Sequence, residues 1–444
     1  EEGDIGAPLR LEKIREELSR KGADGWREGE HLDWYASYDR FLDKSGMRAS
    51  FPTVDAFTLA LGKNMHYFHG RALENVRISN KVDAYVLNGW ATEMTRTDFV
   101  DAYRNPTGDP SIIRHYTRPL YVAVKLRQTV VPTGYTPVAD IHLVNETGLA
   151  GSCTLMLALE SPGGASQPVG TYPVTVSGGE EYGQLLVQGV NIPTVGVSGY
   201  HTLKASLADR SGAVRATGFD TIFAVNVAEG PGIRGRIAAI DTSGAVAKFL
   251  ADTRGVKVET YDPDCPFYDV IVIGAHDYRM VARLGIPANM RSYDPIMDRV
   301  ARGATLVILD QAESWAQRMA GADYPAVKYR GIVSRGKQAR FFTGNSGILE
   351  GLPKSCGMDW EYQWFQDGNG RGIRFGRAGV EMIAGMASEQ TDEVLDALSS
   401  LRFGNGRIFI TTLGVLGGLA SNTPQSVVAK KLFLNMLETG GNRQ

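Results

Sequence analysis

Residue types that could do chemistry are densest near the start of the chain: Glu1, Glu2, Trp34, Tyr35, His66, Tyr67, His69, Arg71, Glu74, Asn75, Asn88, Trp90 and Glu93. A carboxylate can attack an electrophilic carbon or carry a proton, and an indole offers a flat apolar face to a ligand. His66, His69, Arg71 and Glu74 stand at helical spacing. Arg71 and Glu74, at i and i+3, are therefore expected to form a surface or packing pair rather than to touch a substrate. The three cysteines, Cys153, Cys265 and Cys356, lie far apart with no C-x-x-C spacing and no nearby histidine. That pattern points to neither a zinc site nor a disulfide framework, and no metal or cofactor is expected.

Elements must hold these residues, and hydrophobic spacing divides the chain into three regions that meet at Pro/Gly-containing junctions. The first, residues 1–116, is mainly helical, with amphipathic stretches at 9–18, 32–42 and 53–78. Thr53, after Pro52, offers a hydroxyl to the first free amides of the longest stretch and reads as its N-cap. One run interrupts the helices: Val82-Asp83-Ala84-Tyr85-Val86-Leu87 is short, β-branched and aromatic, ends at Asn88-Gly89, and predicts a buried strand. A lone strand leaves both edges unpaired, so this region must lean on something else.

Residues 117–230 alternate apolar and polar positions in short runs broken at Thr133-Gly134, Asn145-Glu146, Pro162-Gly163-Gly164, Ser177-Gly178-Gly179 and Asp209-Arg210-Ser211-Gly212. That spacing predicts a β-sandwich of seven or so antiparallel strands. Its His142 and His201 read as structural or exposed, and Tyr172, Tyr182 and Tyr200 are single tyrosines near strand ends, so no catalysis is assigned here. A linker at 229–232 leads into residues 231–444, where apolar strands at 237–240, 257–261, 270–274, 305–309 and 407–411 alternate with helices. This is the pattern of a doubly wound parallel sheet. The stretch 328–385, with Trp360, Tyr362, Trp364 and Phe365, is less regular and reads as an insertion or edge hairpin.

Ligands of doubly wound sheets bind at the carboxyl ends of the strands. Those ends carry no G-x-G-x-x-G, since Asp241-Thr242-Ser243-Gly244-Ala245 does not supply it, and no P-loop. The layout resembles the class I glutamine amidotransferase fold, in which a cysteine sits on the sharp turn after a central strand. Here that turn, Leu309-Asp310-Gln311-Ala312-Glu313, has no cysteine, so the domain is expected to be catalytically silent, with His276 and Glu313 as surface or interface polar groups.

Composition narrows the functional classes. Across 444 residues, hydrophobic types make up 43% and charged types 22%, an ordinary globular profile that excludes wholesale disorder. Lys+Arg at 47 against Asp+Glu at 49 gives a net charge of -2, so neither nucleic acid nor an anionic membrane is an expected partner. No run approaches the roughly 18 apolar residues of a membrane span. The opening Glu1-Glu2-Gly3-Asp4 has no initiator methionine and no signal pattern, and reads as a processed or partial chain. The compartment stays open, with periplasmic or extracellular favoured over cytoplasmic.

A resemblance gives the first region a function. Tyr67-Phe68-His69-Gly70-Arg71-Ala72-Leu73-Glu74-Asn75-Val76-Arg77, followed by Asp83-Ala84-Tyr85-Val86-Leu87-Asn88-Gly89-Trp90, resembles the tail of the catalytic barrel in glycoside hydrolase family 2, the β-galactosidase and β-glucuronidase family. Tyr103-Arg104-Asn105-Pro106-Thr107-Gly108-Asp109-Pro110, leading to Arg118-Pro119-Leu120-Tyr121, is similar to that family's exit from barrel to sandwich. The likeness covers roughly residues 1–150, and it implies that residues 82–87 form the eighth strand of a (β/α)8 barrel whose other strands lie upstream. It also implies that Glu1 is a nucleophile in a Glu-x-Gly pattern, with Glu2 as the fallback, and that Trp90 floors a sugar subsite, with Asn88 and Glu93 as further substrate contacts. The expected fold is multidomain α/β plus all-β: a barrel end at 1–116, an immunoglobulin-like β-sandwich at 117–230 and a flavodoxin/amidotransferase-like α/β domain at 231–444. The implied reaction is retaining hydrolysis of a terminal β-linked sugar. The implied partners are a carbohydrate substrate and the N-terminal remainder of the same protein or a partner chain, in a homo-oligomer. The rival expectation is a noncatalytic accessory or assembly subunit that docks on a catalytic chain.

Overall fold

A computed structural model describes residues 6–22, 28–82, 84–86, 90, 96–97, 99–228, 230, 232–233, 235–277, 295–321, 330–334, 340–366, 370–376, 379–388 and 391–440. The N-terminal region opens with the short strand β1 (Ala7–Pro8) and the helices α1 (Leu11–Lys21), α2 (Glu28–Ser45) and α3 (Val54–Ile78). The Thr53 side chain accepts the Ala56 amide at 3.0 Å, as an N-cap must. Strand β2 (Arg96–Thr97) then returns to pair antiparallel with β1, and α4 (Pro110–Tyr116) leads out, its first turn capped by Asp109.

The expected buried strand at 82–87 is not found. Val82, Ala84, Tyr85 and Val86 belong to no strand and are exposed, Val86 at 88%; Asp83 and Leu87 lie outside the described residues. A strand needs an edge to pair with, and its apolar side chains need a cover; the described residues provide neither at this segment.

The helices lean on the rest of the chain. Phe51 and Phe57 meet Phe342 edge-on at centroid distances of 5.9 and 5.0 Å, joining α1–α3 to the C-terminal domain in one apolar cluster. Contact is close enough that a Cβ on Gly357 would lie 2.1 Å from the Ala60 carbonyl of α3. On its other flank, α3 is tied down by Arg77, which donates to the Tyr116 and Arg118 carbonyls and pairs with Glu146 at 2.6 Å.

Eight strands follow: β3 (Leu120–Leu126), β4 (Val130–Pro132), β5 (Val138–Asn145), β6 (Gly151–Glu160), β7 (Ser166–Val176), β8 (Gly183–Asn191), β9 (Gly199–Asp209) and β10 (Val214–Val225). They form a sandwich of a five-stranded sheet, β4-β10-β9-β6-β7, and a three-stranded sheet, β3-β5-β8. Alternating buried residues such as Leu155, Leu157, Leu203 and Leu207 from one sheet, and Val122, Val124, Ile141 and Leu143 from the other, fill the space between them. One departure from the expected pattern is β4, which splits off the first apolar run and pairs parallel with β10.

The C-terminal domain begins β11 (Ile237–Ile240), α5 (Ala245–Arg254), β12 (Val258–Thr260), β13 (Val270–Ile273), α6 (Pro295–Ala301), β14 (Thr305–Ile308) and α7 (Ala312–Gly321). After the central stretch come β15 (Arg330–Ser334), β16 (Arg340–Thr343), β17 (Cys356–Gly357), β18 (Gly370–Arg374), β19 (Val380–Ala387), β20 (Val394–Phe403) and β21 (Gly406–Thr411). A helix near Gln363–Gln366, α8, lies within that stretch, and α9 (Val415–Ala420) and α10 (Val427–Gly440) close the domain. Five strands are parallel in the order β12-β11-β13-β14-β21, the 2-1-3-4-5 order of flavodoxin-like sheets. The sheet does not stop there: β20, β19, β16 and β17 continue it antiparallel, and β15 and β18 join at β20, giving eleven strands among the described residues. The stretch 328–385, expected to be an insertion or edge hairpin, contributes β15 to β18 and most of β19 to this antiparallel part of the sheet. The chain is multidomain, with mixed α/β and sheet-rich parts.

Candidate functional site

Of the residues singled out from the sequence, Glu1, Glu2, Asn88 and Glu93 lie outside the described residues, and Trp90 lies within them. The Trp90 side chain is 54% exposed. Its ring sits 5.7 Å from that of Phe99 at 31°, and its carbonyl accepts the Val100 amide at 3.2 Å. Phe99 is buried and meets His69 and His66 at 5.2 and 5.8 Å. An exposed indole backed by a buried phenyl ring is a stiff apolar platform that can take the apolar face of a ligand.

Behind the platform the chain is firmly held. His66 is buried on α3, with Nδ1 3.5 Å from the Gly62 carbonyl, and burial lowers its pKa below the ordinary imidazole value. A Cβ on Gly108 would sit 2.4 Å from the same nitrogen, so the backbone runs directly across the ring. These contacts make His66 a packing residue. Asp101 is also committed: its carboxylate accepts the Tyr103 and Asn105 amides, both at 2.9 Å, and the Asn105 side chain, closing the loop that follows Phe99.

The N-terminal segment reaches this platform by two routes. Ala7 pairs with Thr97 and Pro8 with Arg96, and Ala7 shares a buried cluster with Met65, Phe99 and Val100. Arg10 then clamps the segment to α3 through both oxygens of Asp55 at 2.7 and 2.8 Å.

Arg71 and Glu74 pair at 3.1 Å, but not on a surface. Arg71 also reaches Asp220 of β10 at 3.1 Å, and Lys125 of β3 reaches Glu74 at 2.9 Å. The two cations and two anions balance within the seam between α3 and the sandwich. Burial raises the Asp220 carboxyl, with Arg71 opposing, and burial lowers the Lys125 ammonium. Sequence reasoning found only the local half of this group, because Asp220 and Lys125 carry no spacing that relates them to α3.

At the carboxyl ends of the parallel strands, the turn after β14 carries one residue with positive φ. Gln311 stands at φ 50, a left-handed backbone that L-residues avoid. Its side chain donates to the His276 carbonyl at 2.5 Å. His276 Nδ1 lies 2.9 Å from the Gly274 carbonyl, Glu313 pairs with Arg371 at 3.2 Å, and Asp241 accepts the Ser243, Val246 and Ala275 amides. Gln311, His276 and Asp241 thus bind backbone groups within these turns, and Glu313 is held by Arg371 of β18. Neither Cys265 nor Cys356 lies on them: Cys265 takes a contact from Arg236 at 3.1 Å, and Cys356 sits beside Thr343.

Among the described residues no group of three His, Cys, Asp or Glu side chains could hold a metal ion, and no helix is long and apolar enough to cross a membrane.

No family model matches this sequence, and no curated protein matches it. Solved structures do resemble parts of the chain. A β-D-mannosidase from Dictyoglomus thermophilum is 12% identical, with a TM-score of 0.28, over 36% of this chain and 18% of that one. A glycosyl hydrolase family 2 member from Bacteroides cellulosilyticus is 11% identical, with a TM-score of 0.20, over 48% and 36%. The β-glucuronidase of Bacteroides uniformis is 13% identical, with a TM-score of 0.18, over 44% and 28%. The matched part of this chain spans well under half the length of each of these glycoside hydrolases.

Proposed function

We propose that this chain is the C-terminal part of a retaining, β-galactosidase-like glycoside hydrolase that removes a terminal β-linked sugar. Residues 1–116 would be the end of its (β/α)8 barrel, 117–230 an immunoglobulin-like sandwich, and 231–444 an amidotransferase-like domain without catalysis. The observation that carries the reading is the Trp90 platform. It follows an exposed apolar segment of the kind a barrel strand becomes when its neighbours are elsewhere, and the pairing of Ala7 with Thr97 returns the N-terminal segment to its side. In this reading Glu1 attacks the anomeric carbon and Trp90 floors the sugar, with Asn88 and Glu93 as further contacts. A second carboxylate, about 5–5.5 Å from the first, protonates the leaving oxygen and comes from the remainder of the barrel. The fallback nucleophile is Glu2.

The experiment is hydrolysis of activated aryl β-glycosides by a polypeptide that includes the upstream barrel. Trp90→Ala removes a stacking surface and should weaken substrate binding by about 1–2 kcal/mol, roughly tenfold in KM, with a smaller change in kcat. An unchanged KM would remove Trp90 from the subsite.

The exposed Val82, Tyr85 and Val86 also suit a second reading, in which the chain is a noncatalytic subunit that docks on a catalytic polypeptide. That reading expects a stable complex and no change in the partner's hydrolysis when Trp90 is replaced.

A further inference from the structure

On the face of the large sheet that carries Phe409, the β20–β21 hairpin sets two arginines opposite one another. Arg402 pairs with Arg407 in the antiparallel register, so both side chains rise from the same face. The next row on that face is Glu381, Ser400 and Phe409, since Ser400 pairs with Glu381 on β19 and with Phe409 on β21. Gly379, Val380, Glu381, Ser400, Arg402 and Arg407 line one concave site of about 270 Å³. It stands at the amino end of β21, away from the carboxyl strand ends at which doubly wound sheets hold their ligands, and it shares no residue with the Trp90 platform.

Like charges placed directly across a strand pair repel, and something must offset them. Among the described residues neither Arg402 nor Arg407 forms an ion pair. Arg407 instead leans over a ring, its guanidinium carbon 5.8 Å from the centroid of Phe409. Because Phe409 is the cross-strand partner of Ser400, that lean puts the guanidinium beside the serine row. The carboxylate in the lining is Glu381, and its Oε1 accepts the Ser346 hydroxyl at 2.9 Å. Ser400 forms the floor. It is 3% exposed, and its hydroxyl has no hydrogen-bond partner among the described residues. A buried hydroxyl is normally paired, and this one is left to the concavity.

We propose that this site seats a phosphate dianion, free or as the end of a small phosphomonoester, between the guanidinium groups of Arg402 and Arg407 and above the Ser400 hydroxyl. Guanidinium groups present paired N–H donors that match phosphate oxygens, and two of them balance the two charges of the dianion. The Ser400 hydroxyl then finds the acceptor that the protein does not supply. Glu381 sets the orientation: its carboxylate repels phosphate and accepts hydrogen bonds from hydroxyls, so the remainder of an ester lies toward β19. A volume of about 270 Å³ falls just below the roughly 300–1,000 Å³ of ordinary ligand pockets, which limits the ester to a small one.

Calorimetric titration of the full chain with inorganic phosphate and with glycerol 3-phosphate tests this. At about pH 8 the phosphate is dianionic, and about 0.1 M sodium chloride screens attraction to scattered surface charge. Both probes should bind saturably. Arg402→Gln and Arg407→Gln should each weaken binding roughly tenfold or more, and Ser400→Ala about threefold with no change of charge. Arg402 is exposed, so its replacement keeps the test available if loss of the Phe409 contact destabilises Arg407→Gln. Tighter binding of glycerol 3-phosphate that disappears in Glu381→Gln identifies an ester as the ligand, and equal binding of the two probes identifies phosphate itself. Absence of saturable binding, or equal affinity in the native chain and Arg402→Gln, would overturn the site; native affinity in Ser400→Ala would overturn its floor.

Discussion

Glu1→Gln, made in a polypeptide that carries the complete barrel, is expected to abolish turnover of an activated aryl β-glycoside while leaving substrate binding in place. A nucleophile acts by forming the covalent glycosyl intermediate, and a carboxamide of the same shape cannot form it. The loss should reach several orders of magnitude in kcat. Azide, a small external anion, should restore part of the rate by attacking the anomeric carbon where the carboxylate is missing. Trp90→Ala should show no azide response, because stacking is not a chemical step. Full activity in Glu1→Gln would move the assignment to Glu2. Full activity in both variants would remove glycosidase chemistry from this end of the chain.

The second large effect is on stability. Asp220→Ala should cost about 3–5 kcal/mol, because it leaves the Arg71 guanidinium buried with half of its compensation gone and leaves Lys125 and Arg71 sharing Glu74 alone. The same change removes the acceptor for the Leu126 amide at 3.2 Å. Asp220→Asn keeps that acceptor and isolates the charge contribution. Replacing Arg71 and Asp220 together by leucine should recover much of the loss, since a buried ion pair exchanged for apolar packing is often close to neutral. Chemical denaturation of the three variants reads this directly. A cost below about 1 kcal/mol for Asp220→Ala would show that water reaches the seam and that the four charges act as a surface group.

What could be read in advance follows a physical division. Local signals were legible: the Thr53 cap, the turn-formers that separate the sandwich strands, and the apolar runs that became β11, β13, β14 and β21 are each encoded within a few residues. Long-range pairing was not. Residues 394–403 hold Asp396, Ser399 and Ser400 within a largely apolar run, which hides the periodicity of β20, yet these three are buried within the sheet. Residues 82–87 failed in the opposite direction: their composition demands burial, but burial depends on a partner and not on the run itself. The site shows the same split. Trp90 was singled out by its place after an apolar run, whereas its backing by Phe99 and the buried charges of Asp220, Asp359 and Glu361 depend on contacts between distant segments.

The order of strands in the large sheet sets a timetable for synthesis. Every strand of the sandwich leaves the ribosome before β11 does, so that domain can close while the next is still being made. The parallel sheet has no such freedom. Its β14 must wait for β21, because Thr305 pairs with Arg407, and the apolar face of the sheet is completed only when Val427, Val428, Leu432 and Phe433 of the last helix arrive. Loop-closure entropy across so long a separation slows that step, and until it occurs the edges of β14 and β20 stay open to other chains. The nascent polypeptide therefore passes through an interval, before residues 427–440 are made, in which the sandwich can be folded and the core beneath the parallel sheet is not.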